Sequence, residues 1–232
     1  MYKWEEKETH KPFQLIDSDL FYFAILKIND SDYRFYIKTH HLISDAWTMN
    51  SIVNQVMDNY SRLVKGESID YMKKPSYVEY IMKEKDYFNS KKFVKDKMFW
   101  SNIFDDVPEI STLKTKNEDM KTTETKRKPF TIPASLASKI NKYCIGNRMS
   151  IFTFFLSILV IYINRITLKE DIVIGTPVLN RSNYREKNML GMFISTIPIR
   201  IKVDDCLDLT SFIQKVSKEW LVFLKHHEYP HQ

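Results

Sequence analysis

The longest apolar run of the chain, residues 151–163, restricts its possible folds more than any other feature. The run reads "IFTFFLSILVIYI", and only Thr153 and Ser157 interrupt it. It is shorter than the roughly 18 apolar residues that suggest a membrane-spanning helix, so the rest of the protein has to cover it. We therefore expect a buried helix, capped by Ser150, in a folded globular protein.

Composition and charge exclude several classes of protein. Only 4 glycines and 8 prolines argue against a collagenous or disordered chain. The net charge of +6 comes from lysines that mostly alternate with acidic residues, as on solvated helix faces. No nucleic-acid motif accompanies this charge, and no apolar stretch follows the charged N-terminus. We expect no nucleic acid and no membrane as partners, a cytoplasmic location, and reduced, packed thiols at Cys144 and Cys206.

Two predicted strands lead to a polar motif at residues 40–47. The runs "LFYFAILKI" and "YRFYIKTHHL" flank the turn-forming "NDSD", which predicts a β-hairpin. Successive side chains of a strand point to opposite faces, so we expect His40 and His41 to have different functions. An amphipathic helix follows directly, with Asp45 or Thr48 available as its N-cap.

The remaining periodicity predicts further helices, two strands and a polar connection. Helical spacing recurs over residues 76–104 with a break near "FNS", in "TIPASLASKINKYCIG", and after Asp208 at the end of the chain. "DIVIGTPV" and "MFISTIPIRI" predict strands. Residues 114–128 are almost entirely polar, which predicts a connection between lobes. The expected fold is a two-lobed α/β sandwich, with residues 1–113 in the first lobe and residues 129–232 forming part of the second.

The motif "HHLISDAW" suits general-base chemistry. A histidine at the end of a strand can take a proton from an amine or hydroxyl near neutral pH. An aspartate four residues later can hold the ring directly, or can fix the loop by pairing with a distant arginine. Taken alone, the pattern is also typical of a structural turn. A metal site is not indicated, because no third ligand lies at a recognisable spacing.

Several segments, in this order, resemble the condensation domains of nonribosomal peptide synthetases, which share a fold with chloramphenicol acetyltransferase. "HHLISDAW" is similar to the family's HHxxxDG signature, and "KPFQLIDSDL" to the "PFDL…PL" segment that precedes it. "SYVEYIMKEKDYF" resembles the "YxDYA" helix. "DIVIGTPVLNR" and "LGMFISTIPIRI" resemble "GTPVAGR" and "GMFVNTLPLR", and "HHEYP" resembles "HQDYPFE". The resemblance implies a central fragment of a chloramphenicol acetyltransferase-like domain, with its start missing and its second lobe incomplete.

The resemblance also implies an activity. Condensation domains form an amide bond when the α-amine of an aminoacyl thioester on one carrier protein attacks an acyl or peptidyl thioester on another. The implied partners are carrier proteins and neighbouring adenylation modules. No metal and no directly bound cofactor are implied, because the phosphopantetheine arms belong to the carriers. Two alternatives stay open: a stand-alone coenzyme A-dependent acyltransferase of the same superfamily, and a non-catalytic remnant or carrier-docking module.

The resemblance assigns roles to individual residues. His41 falls on the family's catalytic base or substrate-positioning residue, and Asp45 falls on an aspartate that is usually structural; these two are the catalytic candidates. His40 and Arg181 are the supporting candidates, with Arg181 expected to pair with Asp45 across the lobes. The predicted substrate-channel residues are Ala46, Gly191, Phe193 and Ser195.

The chain departs from the family's pattern at three of these matched segments. Ala46 replaces a glycine, Ser195 stands where the family usually has asparagine, and Lys83 stands where many members carry tryptophan. A side chain at residue 46 is expected to crowd the backbone or to force the turn away from positive φ. An incomplete second lobe is expected to leave an apolar surface or an open sheet edge exposed.

Overall fold

Helices and strands alternate irregularly along the chain. The computed structural model describes residues 2–69, 73–109, 111, 113 and 127–231. The helices in this part of the chain are α1 (Tyr2–His10), α2 (Ala46–Val64), α3 (Tyr77–Phe88), α4 (Lys91–Ile103), α5 (Ala134–Gly146), α6 (Ile151–Thr167), α7 (Tyr184–Lys187) and α8 (Leu209–Lys225). The strands are β1 (Phe21–Lys27), β2 (Tyr33–Thr39), β3 (Asp171–Val178) and β4 (Ser195–Lys202). This content confirms the predicted α/β class.

The chain forms two compact units, each discontinuous in sequence. One comprises Met1–Asn89 and Leu179–Ile194, and the other comprises Ser90–Val178 and Ser195–Gln232. The sequence predicted a division into lobes at residues 114–128, and the observed grouping differs from it. Of that predicted connection, only residues 127 and 128 belong to the described part of the chain. The difference arises because packing, rather than chain order, decides which elements share a core.

The first unit contains the predicted hairpin and the helix that follows it. β1 and β2 pair antiparallel, with Phe21 opposite Thr39. α2 begins after Asp45, whose Oδ1 accepts a hydrogen bond of 2.8 Å from the Thr48 N–H. The hairpin and the Asp45 cap confirm the sequence prediction. However, β2 ends at Thr39, so His40 and His41 lie after the strand and the alternation of strand faces does not extend to them.

The long helical stretch divides into two helices where "FNS" predicts a break. Ser76 caps α3 by accepting from the Val78 N–H, and Ser90 caps α4 by accepting from the Phe93 N–H. Both hydroxyls satisfy N–H groups that the first turn of a helix leaves unpaired. Since α3 belongs to the first unit and α4 to the second, the compact units also divide at Asn89.

An apolar cluster forms the core of the second unit. β3 and β4 pair antiparallel, with Ile172 opposite Ile201 and Ile174 opposite Ile199. α8, capped by Asp208 as predicted, adds its own buried face. The cluster includes the fully buried residues Val160, Ile172, Ile197, Ile199, Ile201 and Val216.

α6 is a helix, as predicted, but only one of its faces is buried. Leu156 and Val160 belong to the apolar cluster, whereas Phe155 and Tyr162 are 43% and 54% exposed. The packing of α5, α8 and β3 on α6 leaves this second face open. The open face agrees with the expectation of an uncovered apolar surface.

Two further predictions concern the membrane and the cysteines. Within the described residues no single helix is long and apolar enough to cross a membrane, and α5 and α6 reach that length and composition only together, across a 104° bend. Both cysteines are free. Cys144 is buried, which raises the pKa of its thiol. The prediction of a packed thiol is wrong for Cys206, which lies exposed in the turn before α8.

Replacing Ile199 with alanine tests the core of the second unit. Ile199 is fully buried in β4, so the truncation leaves a cavity and should lower the free energy of unfolding by about 2–5 kcal/mol. The control is Ile145→Ala, because that side chain is 78% exposed on α5 and its loss should change stability by about 0.5 kcal/mol or less. Urea unfolding measures both variants, and equal losses would contradict this assignment of the core.

Candidate active site

A fully buried ion pair joins the start of α2 to the segment that follows β3. Nη2 of Arg181 lies 3.2 Å from each carboxylate oxygen of Asp45. The two side chains are 1% and 0% exposed, respectively. The predicted pairing is confirmed. The pair lies within the first unit rather than across two lobes, because residues Leu179–Ile194 belong to that unit.

Further hydrogen bonds compensate the two buried charges. Asp45 Oδ2 accepts from the Phe193 N–H at 3.1 Å, in addition to the bond from Thr48. Arg181 Nη1 donates to two main-chain carbonyl oxygens, at 2.7 and 2.8 Å. Burial by itself raises the pKa of Asp45, but the N–H groups of Thr48 and Phe193 and the charge of Arg181 outweigh it, so the pKa is lowered. Asp45 is therefore held as a carboxylate.

Thr48 and Gly191 bring two backbone segments into close contact. Thr48 Oγ1 donates to the Gly191 carbonyl oxygen at 2.8 Å and accepts from the Gly191 N–H at 3.0 Å. The Tyr77 ring lies against Gly191, where an added Cβ would come within 2.6 Å of Tyr77 Cε2. The Tyr77 hydroxyl donates to the Met192 carbonyl oxygen. Gly191 is thus required by packing, since no side chain fits between the segment and the ring.

His41 lies exposed in the turn between β2 and α2. Its Nδ1 is 2.8 Å from the main-chain oxygen of Ser44. A carbonyl oxygen can only accept a hydrogen bond, so this contact assigns the proton to Nδ1 and leaves the lone pair on Nε2. Ser44 is itself buried, and its Oγ lies 2.6 Å from Thr39 Oγ1. An imidazole held in this way can accept a proton from an approaching amine or hydroxyl.

His40 has different surroundings from His41. Its Nδ1 accepts a hydrogen bond of 3.1 Å from the Leu42 N–H, and its half-buried ring packs edge-on against Phe13 with ring centres 6.0 Å apart. Within the described residues no hydrogen bond joins Asp45 to His41, and no three His, Cys, Asp or Glu side chains cluster as metal ligands. The His41 imidazole is therefore the exposed group of the motif, and the Asp45 carboxylate is the buried one.

The predicted substrate-channel residues do not share one environment. Ala46 is exposed at the first position of α2 and does not have positive φ, which agrees with the expectation that a side chain here forces the turn away from positive φ. Gly191 and Phe193 are buried, and the Phe193 ring lies 3.8 Å from the guanidinium carbon of Arg181. Ser195 begins β4 and belongs to the second unit.

The match to a known family covers the whole chain. A family profile described as the condensation domain matches residues 1–232. The chain belongs to the condensation domain family. Surfactin synthase subunit 1 of Bacillus subtilis (strain 168) is 35% identical over 229 residues, which are 99% of this chain and 6% of that protein.

Solved condensation domains share the fold. The first condensation domain of the CDA synthetase superposes with a TM-score of 0.84 at 18% identity, covering 98% of this chain and 51% of that one. A variant of the starter condensation domain of rhizomide synthetase, solved in complex with C8-CoA, superposes with a TM-score of 0.76 at 21% identity, covering 99% and 52%. The chain therefore spans about half the length of these condensation domains.

The support of the condensation-domain motif includes residues whose contacts the sequence did not indicate. Lys83 Nζ lies 2.6 Å from Oε1 of the buried Glu186, whose Oε2 accepts from the Ser182 N–H at 2.7 Å. Burial raises the pKa of Glu186, but the bonds from Lys83 and Ser182 outweigh it and lower the pKa. Glu186 lies on α7, which is too short to show helical periodicity. The sequence did contain one signal for this contact, namely a lysine at residue 83 where many family members carry tryptophan.

Gly191→Ala tests the close approach to Tyr77. The added methyl group overlaps the ring, so we expect a loss of about 1–3 kcal/mol in the free energy of unfolding. Gly146→Ala is the control, because nothing lies within 4 Å of its position on α5 and alanine should be neutral or stabilising by up to about 1 kcal/mol there. Thermal unfolding of both variants provides the measurement. A Gly191→Ala protein as stable as the control would contradict the packing described.

The Asp45–Arg181 pair predicts acid-sensitive stability. A carboxyl group whose pKa is lowered by folding stabilises the protein above its unfolded pKa of about 3.9 and loses that contribution as the pH falls through the folded pKa. Asp45→Asn leaves Arg181 buried without a counter-charge, so we expect a loss of about 3–5 kcal/mol near pH 7 and a flatter acid limb of the stability curve.

Urea unfolding from about pH 7 to about pH 3 measures both effects of Asp45→Asn. The control is Glu79→Gln, which breaks the exposed pair between Glu79 and Arg185 and should cause a much smaller loss. An unchanged acid limb in Asp45→Asn would argue against the buried carboxylate.

Proposed function

We propose that this chain carries the catalytic histidine of a condensation-type acyltransferase. The reaction is amide bond formation between carrier-bound acyl or peptidyl thioesters and aminoacyl thioesters in nonribosomal peptide synthesis. The observation that carries the proposal is the exposed imidazole of His41, whose Nδ1 is engaged by Ser44 and whose Nε2 is available as a base. Membership of the condensation domain family supports the reaction class.

The reaction requires one base at the attacking amine. The α-amine nitrogen of the acceptor attacks the carbonyl carbon of the donor thioester, so that a C–N bond forms and the C–S bond breaks. Nε2 of His41 takes the proton from the amine, and that proton then neutralises the departing thiolate. Asp45 and Arg181 hold the turn that carries His41, and His40 packs behind it.

The channel residues are proposed to contribute in two ways. Ala46, exposed beside the turn, is proposed to face the substrate directly, and Ser195 keeps a proposed channel role in the second unit. Gly191 and Phe193 are proposed to shape the site from beneath, since both are buried against Tyr77 or Arg181.

The proposed partners are carrier proteins and neighbouring adenylation modules. The coverage of surfactin synthase subunit 1 supports this, because the chain matches only 6% of that protein and most of the synthase subunit therefore lies outside the matched part. The phosphopantetheine arms are proposed to arrive with the carriers as part of the substrates. The proposed location is the cytoplasm, as the sequence analysis expected.

A stand-alone coenzyme A-dependent acyltransferase is the second candidate. One observation favours it: the starter condensation domain of rhizomide synthetase, which is similar in fold, was solved with C8-CoA. Acylation of a soluble amine or alcohol from a coenzyme A thioester, without any carrier, would support this candidate. Binding of a loaded carrier without turnover would instead indicate a docking module and contradict both reactions.

His41→Ala tests the proposed base. Loss of a general base should slow amide formation by about 100- to 10,000-fold, because Nε2 of His41 is the group proposed to take the proton from the attacking amine. The measurement is single-turnover amide formation by the natural-length protein, with donor and acceptor carriers loaded. Because His41 is exposed, the variant should retain the wild-type urea midpoint.

His40→Ala is the matched control for His41→Ala. It removes an imidazole from the same turn, but one that packs against Phe13 instead of presenting a free lone pair. We expect a smaller loss of rate than in His41→Ala. If amide formation survives His41→Ala unchanged, the catalytic assignment is wrong.

A further inference from the structure

Lys83 makes an ion pair with a buried carboxylate. Its side chain on α3 is 54% exposed, whereas the carboxylate it reaches on Glu186 is 4% exposed. An exposed ion pair contributes little, because water solvates both charges when the pair breaks. A buried carboxylate has no such alternative, so removing its cation leaves an uncompensated charge. Loss of the Lys83 charge should therefore be costly, because it leaves the buried Glu186 carboxylate without a counter-charge.

Glu186 connects this ion pair to Arg181. Its Oε2 accepts from the N–H of Ser182, the residue next to Arg181, and its main-chain oxygen accepts from Arg181 Nη1 at 2.7 Å. One residue thus holds both the backbone beside Arg181 and its guanidinium group. Arg181 in turn holds Asp45, the N-cap of α2 and the residue after Ser44.

α3 holds the same segment at two further points. Glu79, one turn before Lys83, accepts two hydrogen bonds from the Arg185 guanidinium group, at 2.8 and 2.9 Å. The Tyr77 hydroxyl donates to the carbonyl oxygen of Met192. Of these three contacts, the Lys83 contact is the one that leads to Arg181 through the buried residue Glu186.

We propose that Lys83 is a positioning residue for the turn that carries His41, acting through Glu186 and Arg181 on Asp45. The inference rests on the proposed function, because it takes His41 to be the base. Lys83 stands where many family members carry tryptophan, so this chain places an ion pair at a position that others fill with an aromatic ring.

The charge of Lys83 has a chemical consequence at Glu186. Without Lys83, burial is no longer opposed by the nearby cation, so the pKa of Glu186 rises. A protonated or displaced carboxyl group then holds the Ser182 N–H less strongly, because a charged acceptor makes the stronger hydrogen bond. The segment around Arg181 loosens, and the turn that carries His41 loses a fixed support.

The test compares four variants of the natural-length protein. Lys83→Met keeps most of the side-chain volume and removes the charge, and Lys83→Arg keeps the charge. Lys85→Met, on the same helix, is the matched control, because the exposed Lys85 side chain makes no ion pair in the described part of the chain. In the fourth variant, Glu186→Gln is combined with Lys83→Met, which removes the unpaired charge.

Two readouts are measured on each variant. Hydrogen exchange reports the opening of residues 182–193, and steady-state kinetics separate kcat from KM. We expect Lys83→Met to speed exchange in this segment and to lower kcat by about 10- to 100-fold with KM unchanged, because misplacement of a catalytic group affects the reacting geometry more than binding. Lys83→Arg and Lys85→Met should behave as wild type, and the double variant should recover part of the exchange protection.

The outcomes separate this proposal from the proposed function. Unchanged exchange in Lys83→Met overturns it, and so does faster exchange with unchanged kcat, since Lys83 is then structural only. If the wild-type protein forms no amide bond, the proposed function fails by itself. In that case the ring resonances of His41 decide: a shift in Lys83→Met but not in Lys85→Met supports the positioning role, and no shift overturns it.

Discussion

The ion pair between Asp45 and Arg181 is the interaction on which the site depends. Removing two opposite charges from water costs free energy, and hydrogen bonds to their remaining donors and acceptors offset that cost. The Thr48 and Phe193 N–H groups serve Asp45, and main-chain carbonyl oxygens serve Arg181. These partners lie on two segments of the first unit, the start of α2 and residues 179–194. Satisfying one buried pair therefore fixes the start of α2 and residues 179–194 together.

Chemistry and support are divided between exposed and buried groups. His41 lies in an exposed turn, where a substrate can approach its Nε2, while its Nδ1 is held by Ser44. The charged groups that position the turn are buried, where solvent screening is weak and their geometry is well defined. This division explains why a motif containing both His41 and Asp45 does not form a hydrogen-bonded dyad. The described residues connect Asp45 to His41 through the backbone of the turn and not through a side-chain hydrogen bond.

Ala46 and Lys83, two departures from the family's pattern, differ in their structural effects. Ala46 adopts ordinary helical geometry at the first residue of α2, so a methyl group is accommodated there without backbone strain. Lys83 forms a bond to a buried carboxylate and so adds a contact of its own. Both substitutions are compatible with an intact motif.

The sequence by itself determined the local structure and the family. Alternation and turn residues predicted the hairpin, Ser and Asp caps predicted the starts of α2, α6 and α8, and "FNS" predicted the break before α4. These features depend on residues close together in the chain, whose spacing directly encodes burial and hydrogen bonding. The order of the motifs was sufficient to predict the condensation domain family.

Only the tertiary structure decided which distant elements share a core. Arg181 meets Asp45 across 136 positions of sequence, and the family resemblance suggested the pair but placed it between lobes. The role of Thr48, the requirement for glycine at residue 191 and the buried Glu186 depend on where the segment after β3 packs. Local periodicity does not encode that path, because the free energy that selects it comes from burying aromatic rings and from pairing buried charges that several elements contribute at once.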